Sequence, residues 1–451
     1  MPVNQGLSDR AAGQRFPDSF VWGAATSAYQ IEGSPLADGA GPSNWHRYVH
    51  ASGRVVNGDT GDVACDHYRR WREDVALMKA MGLRAYRFSI AWARVLPAGG
   101  GRVNPAGLAF YERLVEALLA AGIEPFVTLY HWDLPLALEE RGGWLDRDTA
   151  GRFADYAELV FRRLGDRVRH WLTLNEPWVV VDHGYVQALH PPALGDPASG
   201  PEAALNLLRA HALAVQAGRA AGAGNIGIAI NLEPKYPHTD GEADRLAAGR
   251  AHAYMNRQFL DALLLGLHPR TLAEVYGAAW PRYDEAEVRA LAQPIDFLGV
   301  NYYSRAVVRD DPRAGITRAA AVPQAGAEHT EMGWEVFPDG LTDTLLWLKR
   351  RYGDLPLYIT ENGAAFADEE PANGVVEDPR REDYLHRHLR AALAVLRQGV
   401  DLRGYFAWSL LDNFEWAFGY SKRFGLIHVD HRTQRRTLKR SALAYASYAQ
   451  R

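Results

Sequence analysis

Leu355-Pro356-Leu357-Tyr358-Ile359-Thr360-Glu361-Asn362-Gly363 is an apolar run that stops on a carboxylate, an amide and a glycine. Apolar residues at consecutive positions predict a strand buried on both faces, and Asn-Gly marks its end. Such strands belong to parallel sheets covered by helices. A glutamate at the mouth of one is held rigidly yet faces out of the core. Alone, Glu361 is compatible with a solvated strand-end acid. Leu172-Thr173-Leu174-Asn175-Glu176-Pro177 repeats the arrangement and supplies a second carboxylate, Glu176. Paired carboxylates at the ends of different strands are what cleavage of a glycosidic bond needs.

The same rhythm of short apolar strand, loop and amphipathic helix extends in both directions. Strands are predicted at 20–24, 84–90, 124–130, 169–174, 226–230, 295–301, the opening run, and 402–410. Helices are predicted at 66–81, 104–122, 148–164, 203–221, 242–267, 341–352 and 382–397. In the first of these Tyr68, Trp71, Val75 and Met78 recur at helical spacing; in the second Asn104-Pro105 supplies a cap and a first-turn proline. Eight alternating units with no break in composition predict an α/β fold, a single-domain (β/α)8 TIM barrel spanning 16–451 after a poorly ordered tail, 1–15. The long insertions 185–201 and 303–338 would wall the active-site face.

Composition narrows the function. A net charge of −4 over 451 residues offers no basic field for nucleic acid. The single cysteine, Cys65, excludes a disulfide framework within the chain. No apolar run approaches membrane-spanning length, so a cytoplasmic protein with no membrane partner is expected. An aromatic share of 11% fits either an aromatic core or an aromatic-lined cleft.

In a TIM barrel the functional side chains stand at the C-terminal strand ends. Read in order, those ends carry Gln30, Arg87, His131-Trp132, Asn175-Glu176, Asn301-Tyr302-Tyr303, Glu361 and Trp408, with Asp412-Asn413-Phe414-Glu415-Trp416 just beyond. Carboxylates, amides, a histidine, an arginine and aromatics converging on one mouth suit a neutral polyhydroxylated ligand. Other signals carry less. Gly222-Ala223-Gly224-Asn225-Ile226-Gly227 matches a dinucleotide fingerprint, but it follows a helix and precedes a strand, the wrong order for phosphate binding. His386 and His388 lie two apart on a helix and do not share a face. No strand-end histidine pair is present, so neither a metal nor a cofactor is expected.

Asn175-Glu176-Pro177 and Thr360-Glu361-Asn362-Gly363 resemble the two glutamate motifs of the glycoside hydrolase family 1 β-glucosidases. Phe20-x-Trp22-Gly23-x-Ala25-x-Ser27-Ala28-Tyr29-Gln30-x-Glu32-Gly33 is similar to the family's N-terminal signature, and Trp408-Ser409-Leu410-x-Asp412-Asn413-x-Glu415-Trp416 to its C-terminal one. The resemblance runs from about residue 16 to 448. It implies a retaining β-glycosidase acting on β-D-glucosides or cello-oligosaccharides, with β-D-galactosides and β-D-fucosides as further substrates. Glu361 would be the nucleophile, kept ionised by Arg87 and a hydrogen bond from Tyr303. Glu176 would be the acid/base, kept protonated by the like charge on Glu361. Gln30, His131, Asn175, Tyr303, Glu415 and Trp416 would bind the sugar over Trp408, with Trp132, Asn301, Trp334 and Phe424 in support.

Two other functions fit the same fold. A 6-phospho-β-glycosidase would carry a phosphate-binding group where Glu415-Trp416 stand, although Ser421-Lys422 lies close by. A non-catalytic sugar-binding barrel would be expected to lack one glutamate. His190-Pro191-Pro192-Ala193-Leu194 departs from the family's His-Ala-Pro-Gly near the aglycone entrance, which bears on leaving-group preference.

Overall fold

The computed structural model describes residues 15–450 apart from Ser52 and Arg282; the predicted tail, 1–15, lies outside the described residues but for Arg15. Eight parallel strands close into a barrel in chain order: β1 Val21–Ala25, β2 Ala85–Ser89, β3 Glu124–Tyr130, β4 His170–Asn175, β5 Asn225–Asn231, β6 Phe297–Asn301, β7 Leu357–Asn362 and β8 Leu402–Trp408. β8 pairs with β1 to close the ring, with Ala25 opposite Trp408. The strands are almost wholly buried because helices cover their outer face and side chains fill the lumen.

The lumen is divided along its axis. At the N-terminal end Phe126, Phe297, Tyr358 and Phe406 pack edge-on or tilted, with ring centroids 4.8 to 6.4 Å apart, and His170 stacks on Phe126 at 4.2 Å. This aromatic plug needs space. A Cβ on Gly23 would stand 2.4 Å from the Phe406 ring. Polar residues fill the C-terminal end, so the apolar floor holds the frame on which they are mounted.

The predicted strands and helices all form, with shifted ends. β4 begins at His170 rather than 169: the first bond of its ladder with β5, Asn225 N to Arg169 O, sets His170 opposite Asn225. β8 stops at Trp408 rather than 410. There the chain leaves the ladder, and Ser409 N donates to Phe424 O. The helix predicted over 242–267 is three pieces: Glu242–His252, a π-helical turn Ala253–Arg257, and Gln258–Leu265, stopped by Gly266 at φ 65°. The insertion 303–338 is not plain loop. Ala306–Asp310 and Ala319–Ala321 form a three-stranded sheet with Lys235–Pro237. A hairpin, Ile427–Asp430 with Arg435–Leu438, and a last helix, Arg440–Ala449, close the chain. Their short alternating runs carry too little periodicity to separate them from loop. His388 is fully buried against Tyr384, a packing role.

The segment after β8 is fixed from below by a buried charge network. Lys439 Nζ donates to Asp412 Oδ1 at 2.7 Å and pairs with Asp368. Arg423 reaches Asp412 Oδ2 at 2.8 Å, and Arg381 spans Asp368 and Asp378. Burial works against the Asp412 charge, but Lys439, Arg423 and Arg381 outweigh it and hold its carboxyl down at about 2. Removing one partner of such a cluster leaves uncompensated buried charge. Lys439→Met is therefore predicted to cost about 3–5 kcal/mol in urea unfolding; a variant matching wild type would contradict a structural role for the network.

Candidate active site

Arg87, fully buried on β2, is the hub of the polar end. Its Nη1 donates to Glu361 Oε1 at 2.6 Å, its Nη2 to Asn175 Oδ1 at 2.6 Å, and its Nε to Thr128 Oγ1 at 3.1 Å. Tyr303 OH donates to the other Glu361 oxygen at 2.7 Å. Both carboxylate oxygens of Glu361 are thus committed, and its rotamer is set from two sides.

Glu176 stands where β4 gives way to a helical turn. Its backbone is left-handed, φ 48° and ψ 60°, and Pro177 opens the turn Pro177–Val179. A non-glycine residue there costs on the order of 1 kcal/mol and persists only when its surroundings hold it. Glu176 N donates to Ala229 O at 2.8 Å, which supplies that hold. Asn301 Nδ2 donates to Glu176 Oε1 at 2.7 Å and to Asn175 Oδ1 at 3.1 Å. Thr360 Oγ1 donates to Asn301 Oδ1 and orients the amide. A continuous path therefore joins the carboxyls: Glu361, Arg87, Asn175, Asn301, Glu176.

The two carboxyls lie 6% and 3% exposed for Glu176 and Glu361, and burial is the main force on both. Burial first, then the Glu361 charge, pushes Glu176 up to about 8, against the Asn301 hydrogen bond. The like charge alone, which the sequence reading invoked, is the smaller cause. Burial also raises Glu361, opposed by Arg87 and Tyr303. Only Glu361 touches a cation, so the proton the pair shares resides on Glu176. Glu415 is likewise pushed up to about 8 by burial and by Glu361.

Around this centre stand the other residues that the sequence singled out. His131 is buried, and burial and Arg87 hold its ring well below the usual histidine range, hence neutral. Asn175 Nδ2 donates to His131 Nε2 at 3.1 Å, so the ring proton is assigned to Nδ1, which has no partner. Nδ1–H is therefore a buried donor left unpaired among the described residues. His131 stacks between Trp408 and Trp416, each at 5.9 Å. Trp132 Nε1 donates to Asn175 O, and its ring meets Trp416 at 4.7 Å. Gln30 Nε2 donates to Phe414 O at 3.0 Å and to Glu415 Oε2 at 3.3 Å. Half-buried Trp334 packs on Tyr303 at 5.2 Å, and Phe424 meets both at 6.2 Å. Trp132 and Trp416, like Glu176, carry positive φ, so unusual backbone gathers at this end.

Sequence reasoning missed several supports. Ser27 Oγ donates to Gln30 Oε1, Asn413 Oδ1 accepts from Gln30, and Thr128 and Thr360 brace Arg87 and Asn301. The Ser27-x-x-Gln30 spacing, one helical turn, was the available signal. Gly363 is required by packing, because a Cβ there would fall 1.7 Å from Trp408 O. Lys422 Nζ donates outward to Glu331 O, and Ser421 Oγ to Phe418 O, away from the buried shell.

The chain matches the profile of glycosyl hydrolase family 1 over residues 12–451. It is 47% identical over 436 residues to a 1,4-beta-D-glucan glucohydrolase of Thermotoga neapolitana, covering 96% of this chain and 98% of that protein. It is 45% identical over 447 residues to a bifunctional beta-D-glucosidase/beta-D-fucosidase of Bifidobacterium breve, covering 94% and 96%. The family 1 β-glucosidase structure from Thermotoga maritima superposes with a TM-score of 0.95 at 47% identity, covering 98% and 99% of the two chains.

The electrostatics of the site predict two carboxyls titrating near 8 in carbon NMR of glutamate-labelled protein, one lost in Glu176→Gln and one in Glu415→Gln. Because the Glu361 charge raises both, Glu361→Gln should lower both. Unmoved titrations in Glu361→Gln would contradict the coupling.

Proposed function

This chain belongs to glycosyl hydrolase family 1, and on that footing we propose that Glu361 is the nucleophile and Glu176 the acid/base of a retaining β-glucosidase. The observation that carries the reading is the asymmetry of the two carboxyls: Glu361 bonded to a guanidinium, Glu176 bonded only to an amide. Two glutamates in different environments take two roles. The anionic Glu361 attacks the anomeric carbon while the Glu176 proton passes to the glycosidic oxygen, and the aglycone leaves as an alcohol. Glu361 is then an ester and its charge is gone. With that charge removed the Glu176 carboxyl is easier to ionise. It takes a proton from water, whose oxygen attacks the anomeric carbon and releases Glu361. Two inversions give net retention, which requires carboxyls about 5–5.5 Å apart rather than the roughly 6.5–9.5 Å of inverting enzymes.

The free His131 Nδ1–H and the Gln30–Glu415 pair support hydrogen bonds to sugar hydroxyls, over the Trp408 face. A neutral Glu415 both donates and accepts, which suits hydroxyls. The half-buried Trp334 supports stacking on the aglycone side. Terminal β-D-glucosyl residues of short β-glucosides and cello-oligosaccharides are the substrates of this reading, with β-D-fucosides alongside, as in the relative from Bifidobacterium breve. Cellulose breakdown products in the cytoplasm are the setting it implies. A 6-phospho substrate is disfavoured: the Gln30–Glu415 pair stands where a phosphate would need a cationic group, and Lys422 donates to Glu331 O instead.

Glu176→Ala is predicted to lose about 10²–10⁴-fold on cellobiose but far less on aryl glycosides whose leaving groups need no proton, with azide restoring turnover. Equal losses on both, untouched by azide, would overturn the acid/base role. Aryl β-D-glucosides should be cleaved and their 6-phosphates refused; preference for the phosphates would overturn the substrate assignment.

A further inference from the structure

On the short helix Asn44–Val49 and its C-cap stand two histidines four residues apart, His46 and His50, with the same-face spacing that His386 and His388 lack. Asp62 faces both from the loop that returns toward the barrel. His50 Nε2 lies 3.1 Å from Asp62 Oδ2, His46 Nδ1 lies 3.6 Å from Asp62 Oδ1, and the ligand atoms of all three lie within 4.8 Å of one another.

Three features make this more than a surface cluster. His50 Nδ1 lies 2.6 Å from the His46 carbonyl, which fixes a proton on Nδ1 and turns Nε2 toward Asp62, to which Nε2–H donates when no ion is bound and whose place at Nε2 an ion would take. A backbone carbonyl that orients an imidazole in this way is the usual support of a histidine metal ligand. Next, His46 Nδ1 and Asp62 Oδ1 are both shielded from solvent, lie 3.6 Å apart and have no hydrogen-bond partner among the described residues. Lastly, the ligands of a tetrahedral ion held at about 2.0–2.1 Å stand about 3.3 Å apart, and the two measured separations bracket that edge.

We propose that His46, His50 and Asp62 form a binding site for one divalent transition-metal ion of the zinc class, with a water as fourth ligand. Two imidazole nitrogens and one carboxylate oxygen are a donor set that suits zinc and disfavours calcium or magnesium. The role is structural. The ion would clip the loop through residue 62 to the helix that carries Trp45. Trp45 packs on Trp416 at 4.5 Å, and the same loop holds Tyr420 through Asp59 Oδ2 and Thr60 O. The clip therefore braces the wall behind Trp416 and touches neither Glu176 nor Glu361.

The test is calorimetric titration of zinc chloride into the chelator-treated full chain, followed by thermal unfolding. One zinc per chain is expected, with a rise in Tm of about 2 °C at saturation. His50→Ala and Asp62→Asn alter exposed side chains, and circular dichroism checks their folding. Each should weaken zinc binding by at least ~10–100-fold, the loss that disturbing a ligand's support alone produces. Cobalt(II) should give the intense visible bands of a tetrahedral site in wild type and lose them in both variants. Absence of zinc binding, or equal affinity and stoichiometry in wild type and His50→Ala, would overturn the proposal and leave the His50–Asp62 contact an ordinary ion pair.

Discussion

One guanidinium organises the catalytic end of this barrel. Arg87 is completely buried, and it touches a carboxylate, an amide, a hydroxyl and a main-chain carbonyl on three other strands. Two carboxyls, Glu176 and Glu361, feel its charge, and of the two only Glu361 touches it. That inequality distributes the protons. Desolvation pushes these carboxyls toward neutrality, and Arg87 decides which of them resists. Were Arg87 replaced by an apolar residue, the distinction between the proposed nucleophile and the proposed acid would lose its physical basis.

The rest of the fold serves that inequality. The aromatic plug at the N-terminal end ties together β3, β4, β6, β7 and β8, and β2, paired to β3 with Arg87 opposite Phe126, is placed by it. The left-handed turn at Glu176 aims one carboxyl back across the mouth, and Ala229 O holds that turn. The buried cluster of Asp412, Lys439, Arg381 and Arg423 anchors the segment that presents Glu415 and Trp416. The cost of burying those charges is offset by mutual pairing, and the pairs fix where the segment sits. Strain, burial and charge are concentrated at the end where the chemistry takes place.

The eight strands and the helices between them were legible in the sequence, because continuous apolar runs and helical spacing follow directly from burial. The strand-end residues were legible for the same reason: once a strand is located, its last side chain is located. What escaped were groups whose role comes from a neighbour far away in sequence. Thr128 and Thr360 look like ordinary strand residues, and only the closed barrel sets their hydroxyls against Arg87 and Asn301. Asp412 reads as part of a motif, but its anchoring by Lys439 depends on a C-terminal hairpin whose short strands carry little pattern. The weight of burial in raising Glu176 was also missed, since sequence gives charge signs but not the dielectric around them. His46 and Asp62 lie outside every strand end, and their meeting depends on a loop path that no periodicity encodes.

The account stands or falls on a covalent bond at Glu361. Incubation with a 2-deoxy-2-fluoro-β-D-glucosyl fluoride, which slows release of the glycosyl-enzyme more than its formation, followed by peptide mass spectrometry, tests it directly. The account predicts inactivation with one sugar per chain, attached to Glu361 through an ester. Attachment at another residue, or turnover with no adduct, would contradict it.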